Sequence, residues 1–271
     1  MAKKNLNEMS FLDHLEELRW LLVRSTIAIL VMAFFTYFIS DYLFDVILLG
    51  PTRPSFFTYQ WFCDLSHQLG FADSICITEM NFIIQNTEME GQVNIFVWMC
   101  ILCGFILGFP YILWEIWKFI SPALYEKERK NAKLFIFASS LLFFLGVIFG
   151  YYVVIPMSVN FVATFSVSDL VQNQFTLSSY MGMVKTSILA SGLFFELPII
   201  IYFLTKLGLV TPDFLRKYWK YAVVIILIVA AIVTPPDVVS QTIVAIPMLI
   251  IYEISILISK IVYNNKNKEN V

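Results

Sequence analysis

The sequence predicts an all-α, polytopic membrane protein with six transmembrane helices and both termini in the cytoplasm. Three observations carry that expectation. The 271-residue chain is 59% hydrophobic and 14% charged, whereas soluble domains carry about a quarter charged residues, and its mean hydropathy is +0.77. The apolar residues gather into six stretches, most of them long enough to cross a hydrocarbon layer of about 30 Å. Sixteen of the eighteen Lys and Arg fall at the termini and in alternate connections, and such residues stay on the cytoplasmic side. The length suits one integral membrane domain over 1–271, with no room for a large soluble domain.

Residues 1–24 read as a cytoplasmic amphipathic segment. Ser10 and Asp13 have capping-box spacing, and Phe11, Leu15, Leu18 and Leu22 make an apolar stripe, so 10–22 is expected to be a surface helix. Asp13, Glu16 and Glu17 lie on its wetter side. This stretch is charged and lacks the short apolar core of a cleavable signal. A first span follows over 25–40, with Arg24 placed to snorkel.

Residues 41–92 form a long outer loop, expected to be partly helical, with seven acids and one base, Arg53. The second span covers 93–114 and contains Pro110. A basic connection follows, where Ser121-Pro122 should start a helix running through Glu126 and Glu128. That helix enters a third span, 134–155, expected to stop at Pro156. A second outer loop, 157–178, leads to a fourth span over 179–204. Another basic connection precedes a fifth apolar stretch at 221–233, which Thr234-Pro235-Pro236-Asp237 ends. The sixth span covers 238–259, and 260–271 is a cytoplasmic tail.

The fifth stretch is short. Thirteen residues rise about 20 Å. Either the bilayer thins around it or the helix begins earlier, with Tyr218 and Trp219 as interface anchors.

Glu196 is the one ionisable residue between 186 and 204. An acid at that depth costs on the order of 3 kcal/mol, so it faces a cavity or partner, or else is a protonated acid satisfied by neighbouring helices. Pro198 removes the donor for the Phe194 carbonyl, which puts an acid and a free acceptor in one turn. Lys185, eleven residues earlier, lies close to three full turns away and points to nearly the same face, which argues for a wet, concave surface; snorkelling of Lys185 to the outer interface is the competing reading.

Asp13, Glu16 and Glu17 before the first span, with Glu126 and Glu128 before the third, border one cytoplasmic surface if those spans pack together. Carboxylates accept bidentate bonds from guanidinium groups, so this surface suits an arginine-bearing ligand. The plainer reading is acids that complement helix dipoles. Cys63 and Cys76 lie in the outer loop, where oxidising conditions allow a disulfide. Cys100 and Cys103, inside the second span, read as packing. Enzyme readings fail: the two histidines, His14 and His67, fall on opposite sides of the membrane, and no metalloprotease or serine-elbow motif is present. No metal, cofactor or nucleic-acid signature appears.

FLDHLEELR (11–19), SPALYEKERK (121–130), FELP (195–198) and TPPDVVSQT (234–242) with AIPM (245–248) occur in that order around the six spans. In these motifs the chain resembles the TatC family, the polytopic core of the twin-arginine protein translocase, from about Phe11 to Lys260. The insertion-like stretch 56–80 is where it departs from shorter relatives. The resemblance implies a cupped bundle in a bacterial inner membrane. It implies recognition of twin-arginine signal peptides of folded precursors at Glu17 and Glu128, with Arg19 nearby and Glu126 as a helper. It places Glu196 on the concave intramembrane face. Thr234 and Gln241 fall where single-span partners of the TatA and TatB types dock, with self-association also allowed and transport driven by the proton-motive force. The competing reading is a proton-coupled small-molecule transporter using Glu196, although no paired broken helices appear in matching halves.

Overall fold

The computed structural model describes residues 11–68, 80, 82–121, 132–168 and 173–269. Five helical stretches are long and apolar enough to cross a membrane, and Trp219–Val233 is a shorter sixth. The described chain divides into two compact units. One comprises residues up to Leu43 with Val93–Leu141, the other Phe44–Gln92 with Leu142 onward.

In the first unit, α1 (Phe11–Phe38) is a single helix. The expected surface helix at 10–22 is therefore not separate from the first span. Neither Gly nor Pro interrupts 11–38, so nothing in the backbone stops the amphipathic turn from continuing into the apolar one. A second long helix, α3, spans Gly91–Ile120, with the short α2 (Phe57–Gln68) between the two in the chain. It extends beyond the expected 93–114 at both ends. The two run antiparallel, because the contacts pair rising with falling numbers. His14 stacks on Phe119 at 4.4 Å, Arg24 reaches Glu115 at 3.4 Å, and Tyr37 meets Phe96 at 5.7 Å. Between them sits Gly104, where a Cβ would lie 2.5 Å from the Ile29 carbonyl oxygen. The absence of a side chain lets the backbones touch, which substitutes for the hydrophobic drive that lipid removes. One turn away, the Thr36 hydroxyl donates to the carbonyls of Ala33 (2.7 Å) and Cys100 (3.3 Å).

The second unit opens with irregular backbone: a π turn at Leu43–Leu48, a 3₁₀ turn at Gly50–Thr52, and α2 (Phe57–Gln68). Such turns leave carbonyls without helical donors. Side-chain hydroxyls supply them: Tyr151 to Ile47 O at 2.7 Å, Tyr180 to Leu48 O at 2.6 Å, Tyr59 to Pro51 O at 2.8 Å. Burial pushes the Tyr59 hydroxyl above the ordinary phenol range, so it remains a donor. Cys63 on α2 is disulfide-bonded, while Cys100 and Cys103 are free thiols. Cys76 lies outside the described residues. A parallel pair, β1 (Ile83–Gln85) and β2 (Gln174–Thr176), joins the two long connections, with Ile84 opposite Phe175.

The third span begins as α4 (Ala132–Phe149), whose first residues to Leu141 belong to the first unit. It continues through a π turn (Gly150–Val154) into α5 (Ile155–Thr164). Pro156 therefore does not end it. The proline falls in the first turn of α5, where its missing N–H is no loss.

Next come α6 (Leu177–Phe194) and α7 (Leu197–Leu207), broken at Phe195–Glu196. Lys185 on α6 is exposed, whereas Glu196 at the break is buried. A short α8 (Pro212–Lys217), α9 (Trp219–Val233) and α10 (Val238–Glu269) complete the chain. The fifth span starts at Trp219, two residues before the expected boundary. The polar tail is helical to Glu269.

Two features hold this unit together. Ile201, Ile226, Ala230, Val244, Met248 and Ile256 form a buried apolar cluster shared by α7, α9 and α10. Gly146 and Gly150 cross the small residues Ser187, Ser191 and Gly192 of α6. A Cβ at Gly146 would meet the Ser191 carbonyl oxygen at 2.6 Å, whereas one at Gly182 on the same helix pair meets nothing within 4 Å. Gly146→Val should therefore cost about 1–3 kcal/mol through overpacking, read as a lower melting temperature in detergent. Gly182→Ala should leave that temperature unchanged or raise it slightly; equal behaviour of the two would refute the close crossing. In non-reduced membranes, mass spectrometry should find the Cys63 and Cys76 peptides linked, a bridge worth about 3 kcal/mol in the chain-entropy picture. Free alkylation of both thiols without reductant would show that they are not bonded.

Candidate functional site

Two regions gather the residues singled out by the sequence. The first is the end of α1 and α3 where His14 stacks on Phe119. Glu17 and Arg19 both stand exposed on α1 here. Two positions apart on a helix, they point about 200° from one another and cannot pair. Arg19 instead lies beside Trp20, 5.6 Å from its ring centroid. Glu17 forms no ion pair with another described residue, which leaves an acceptor carboxylate open to solvent. Glu126 and Glu128 lie outside the described residues.

The sequence reading passed over Glu115 here. Its side chain is 3% exposed and takes Lys118 Nζ at 2.7 Å and Arg24 Nη1 at 3.4 Å. Lys118 is also 5.7 Å from the Trp114 ring, and Arg24 is 5.9 Å from Trp20. Burial and two neighbouring cations that already neutralise its charge make this carboxylate a poor acceptor for a further one. Glu115 thus fixes cations at the edge of the region, while Glu17 stays uncommitted. The readable signal was the i, i+3 spacing of Glu115 and Lys118 across a bulky aromatic run, Trp114 to Phe119.

The second region lies in the other unit. Glu196 is 6% exposed and occupies the break between α6 and α7. Its carbonyl accepts from Ile199 and Ile200, the start of the new helix. Thr234 is buried at the end of α9 and donates to the Ala230 carbonyl at 2.8 Å. Gln241 on α10 donates to the Leu227 carbonyl at 3.0 Å, tying α10 to α9. Ser187 of α6 reaches the Val233 carbonyl at 3.4 Å, so α6 meets the same corner. Asp237 caps α10 by accepting from the Ser240 amide at 2.8 Å, and this bond holds its carboxyl below the usual carboxylate range. Thr234 and Gln241 therefore share one corner. Glu196 stands apart, nine positions along the chain from Ser187, or about 13 Å of helix rise.

Neither region assembles a nucleophile with a base. No group of three His, Cys, Asp or Glu suited to a metal occurs among the described residues. They hold carboxylates at one end of a helix pair, and polar groups spent on backbone carbonyls inside apolar helices.

Residues 13–247 match the family model described as Sec-independent protein translocase protein (TatC). A TatC protein of Blattabacterium sp. subsp. Periplaneta americana is 43% identical over 269 residues, spanning 97% of this chain and all of that protein. TatCy of Bacillus subtilis is 35% identical, covering all of this chain and 96% of the relative. Two solved structures titled twin arginine translocase receptor TatC superpose with TM-scores of 0.70 and 0.72. Their sequences are 30% and 31% identical, and they cover 92% and 91% of this chain and 99% of each of theirs. Six apolar helical spans, four motifs in register and relatives matched along nearly their whole length place the chain in the TatC family, as a multi-pass membrane component of the twin-arginine translocase.

Proposed function

We propose that this chain is the signal-peptide receptor of its translocase, and that it takes the paired arginines of folded precursors at Glu17 and Glu128. The observation that carries the reading is Glu17: an exposed carboxylate on the FLDHLEELR segment with no ion-pair partner among the described residues, whereas Glu115 of the same unit is paired with Arg24 and Lys118. A guanidinium presents a planar fork that matches such a carboxylate. Arg19 borders the site, and Glu126 is a secondary acceptor. The clustering of bases puts both termini and this surface in the cytoplasm of a bacterial inner membrane.

Single-span partners of the TatA and TatB types dock against the other unit, at the α9–α10 corner of Thr234 and Gln241 and along the face bearing Glu196. The chain works with them as a complex that uses the proton-motive force, and it catalyses no chemistry of its own.

Two charge-assisted bonds each contribute about 1.5–3 kcal/mol. Glu128→Gln should weaken binding of an Arg-Arg signal peptide by roughly tenfold or more, measured with full-length protein in gentle detergent. Glu17→Gln should act in the same direction, with insertion and melting temperature unchanged. Wild-type affinity in both variants would place the receptor surface elsewhere.

A further inference from the structure

We infer that the free edge of β1 takes up an extended peptide segment as a third strand. The segment is uncharged where it meets the sheet, sets one apolar side chain beneath it, and carries a base beyond. This inference does not rest on the signal-peptide reading. It starts from the ladder: β1 and β2 are parallel, and the Ile83 amide donates to the Asn173 carbonyl. Alternate residues of a strand bond to the same neighbour, so Ile84 turns its N–H and C=O away from β2. Neither group finds a hydrogen-bond partner among the described residues. An edge of that kind is a template for another strand.

A cavity of about 390 Å³ lies along that edge. Ile84, Gln85 and Asn86 all line it, although successive side chains of a strand point to opposite faces. A strand whose successive residues line one cavity borders it by its edge rather than by a face. No described residue of β2 contributes to the lining. The other walls come from the 3₁₀ turn, through Leu49 and Thr52, and from Gln92 in the first turn of α3.

The chemistry of the walls selects the occupant. None of the described lining residues is ionisable. The side-chain amides are half used: Gln85 donates to Gln174 Oε1 at 3.3 Å and Asn86 to the Glu88 carbonyl at 2.6 Å. Their amide oxygens remain as acceptors. Peptide groups, each with one donor and one acceptor, complement both these amides and the strand edge. Beneath the sheet, Phe82 and Ile84 also wall a recess of about 100 Å³, closed by Val159, Val162, Phe175 and Met183. It has room for one aliphatic side chain, and such pockets give added strands their specificity. The turn that follows Asn86 carries Glu88 and Glu90, both exposed and neither in an ion pair with a described residue. They favour a base on the occupant just past the uncharged stretch.

The probe is a blocked peptide, acetyl-Thr-Leu-Thr-Ser-Lys-amide, titrated into the full chain in mild detergent, with calorimetry for affinity and hydrogen exchange for the backbone. Binding should saturate and slow exchange over 82–86. Two further probes carry N-methyl groups on alternate nitrogens of the peptide. One should bind about tenfold more weakly and the other as before, because alternate N–H groups point toward β1 and away from it. Replacing the peptide's leucine with aspartate should abolish binding. Gln92→Trp, which fills the cavity from α3, should do the same with the melting temperature unchanged. Glu88→Gln combined with Glu90→Gln should erase the preference for lysine over glutamate at the peptide's last position. No saturable binding to the wild type overturns the proposal. Binding without protection at 82–86, equal behaviour of the two methylated probes, or full binding by Gln92→Trp overturns it equally.

Discussion

Unpaired backbone polar groups have no water to turn to in hydrocarbon, and this constraint bears on each break within the spans. Where the described helices break, or end in irregular turns, several of the freed carbonyls find donors within the protein. The π and 3₁₀ turns after α1 give their carbonyls to Tyr151, Tyr180 and Tyr59. The end of α9 gives Val233 O to Ser187 and Leu227 O to Gln241. The break before α7 is spanned by the Glu196 carbonyl, which accepts two amides of the next turn. Tyrosine, serine and glutamine thus act less as chemistry than as substitutes for water.

The same constraint sorts the acids. Glu115, near the end of a span, is tolerated because Lys118 and Arg24 neutralise it at once. Glu253 sits in α10 with its oxygen on an indole N–H. Glu17 has the freedom that these lack, because it stands where α1 is exposed and solvated. A receptor surface for guanidinium groups needs a carboxylate whose partner arrives from outside. On the proposed function, Glu17 meets that need better than Glu115, which is buried and already paired with Lys118 and Arg24.

Much of this was legible. Runs of apolar residues and the placement of Lys and Arg gave the spans, since both report on transfer energies that act locally. The four motifs pointed to the family before any geometry was known. What escaped was set by contacts distant in sequence. Three-residue strands at Ile83–Gln85 and Gln174–Thr176 have no period to detect, and they pair across the length of two spans. Pro156 looked like a terminator, because sequence shows the missing N–H but not the π turn that delivers it to a first helical turn. The break at Phe195–Glu196 was not legible either, because Pro198 marks a lost donor without showing where the turn falls. Glu115 was invisible as a buried ion cluster because Arg24 lies 91 positions away.

The close crossings show why such a scaffold suits a translocase component. Lipid gives helices no hydrophobic reason to associate, so the contacts depend on fit. At Gly104 and at Gly146 and Gly150 the backbones approach until no methyl group can be inserted. These contacts fix α1 on α3 and α4 on α6, and they do so without covering the remaining faces. Phe34, Phe35 and Phe38 on α1, and Ile225, Ile228 and Ile232 on α9, stay exposed. Rigidity comes from narrow seams of small residues, and most of each helix is left for lipid or for other helices. On the proposed function, a receptor surface held in place while other chains gather around it would need that division of the surface.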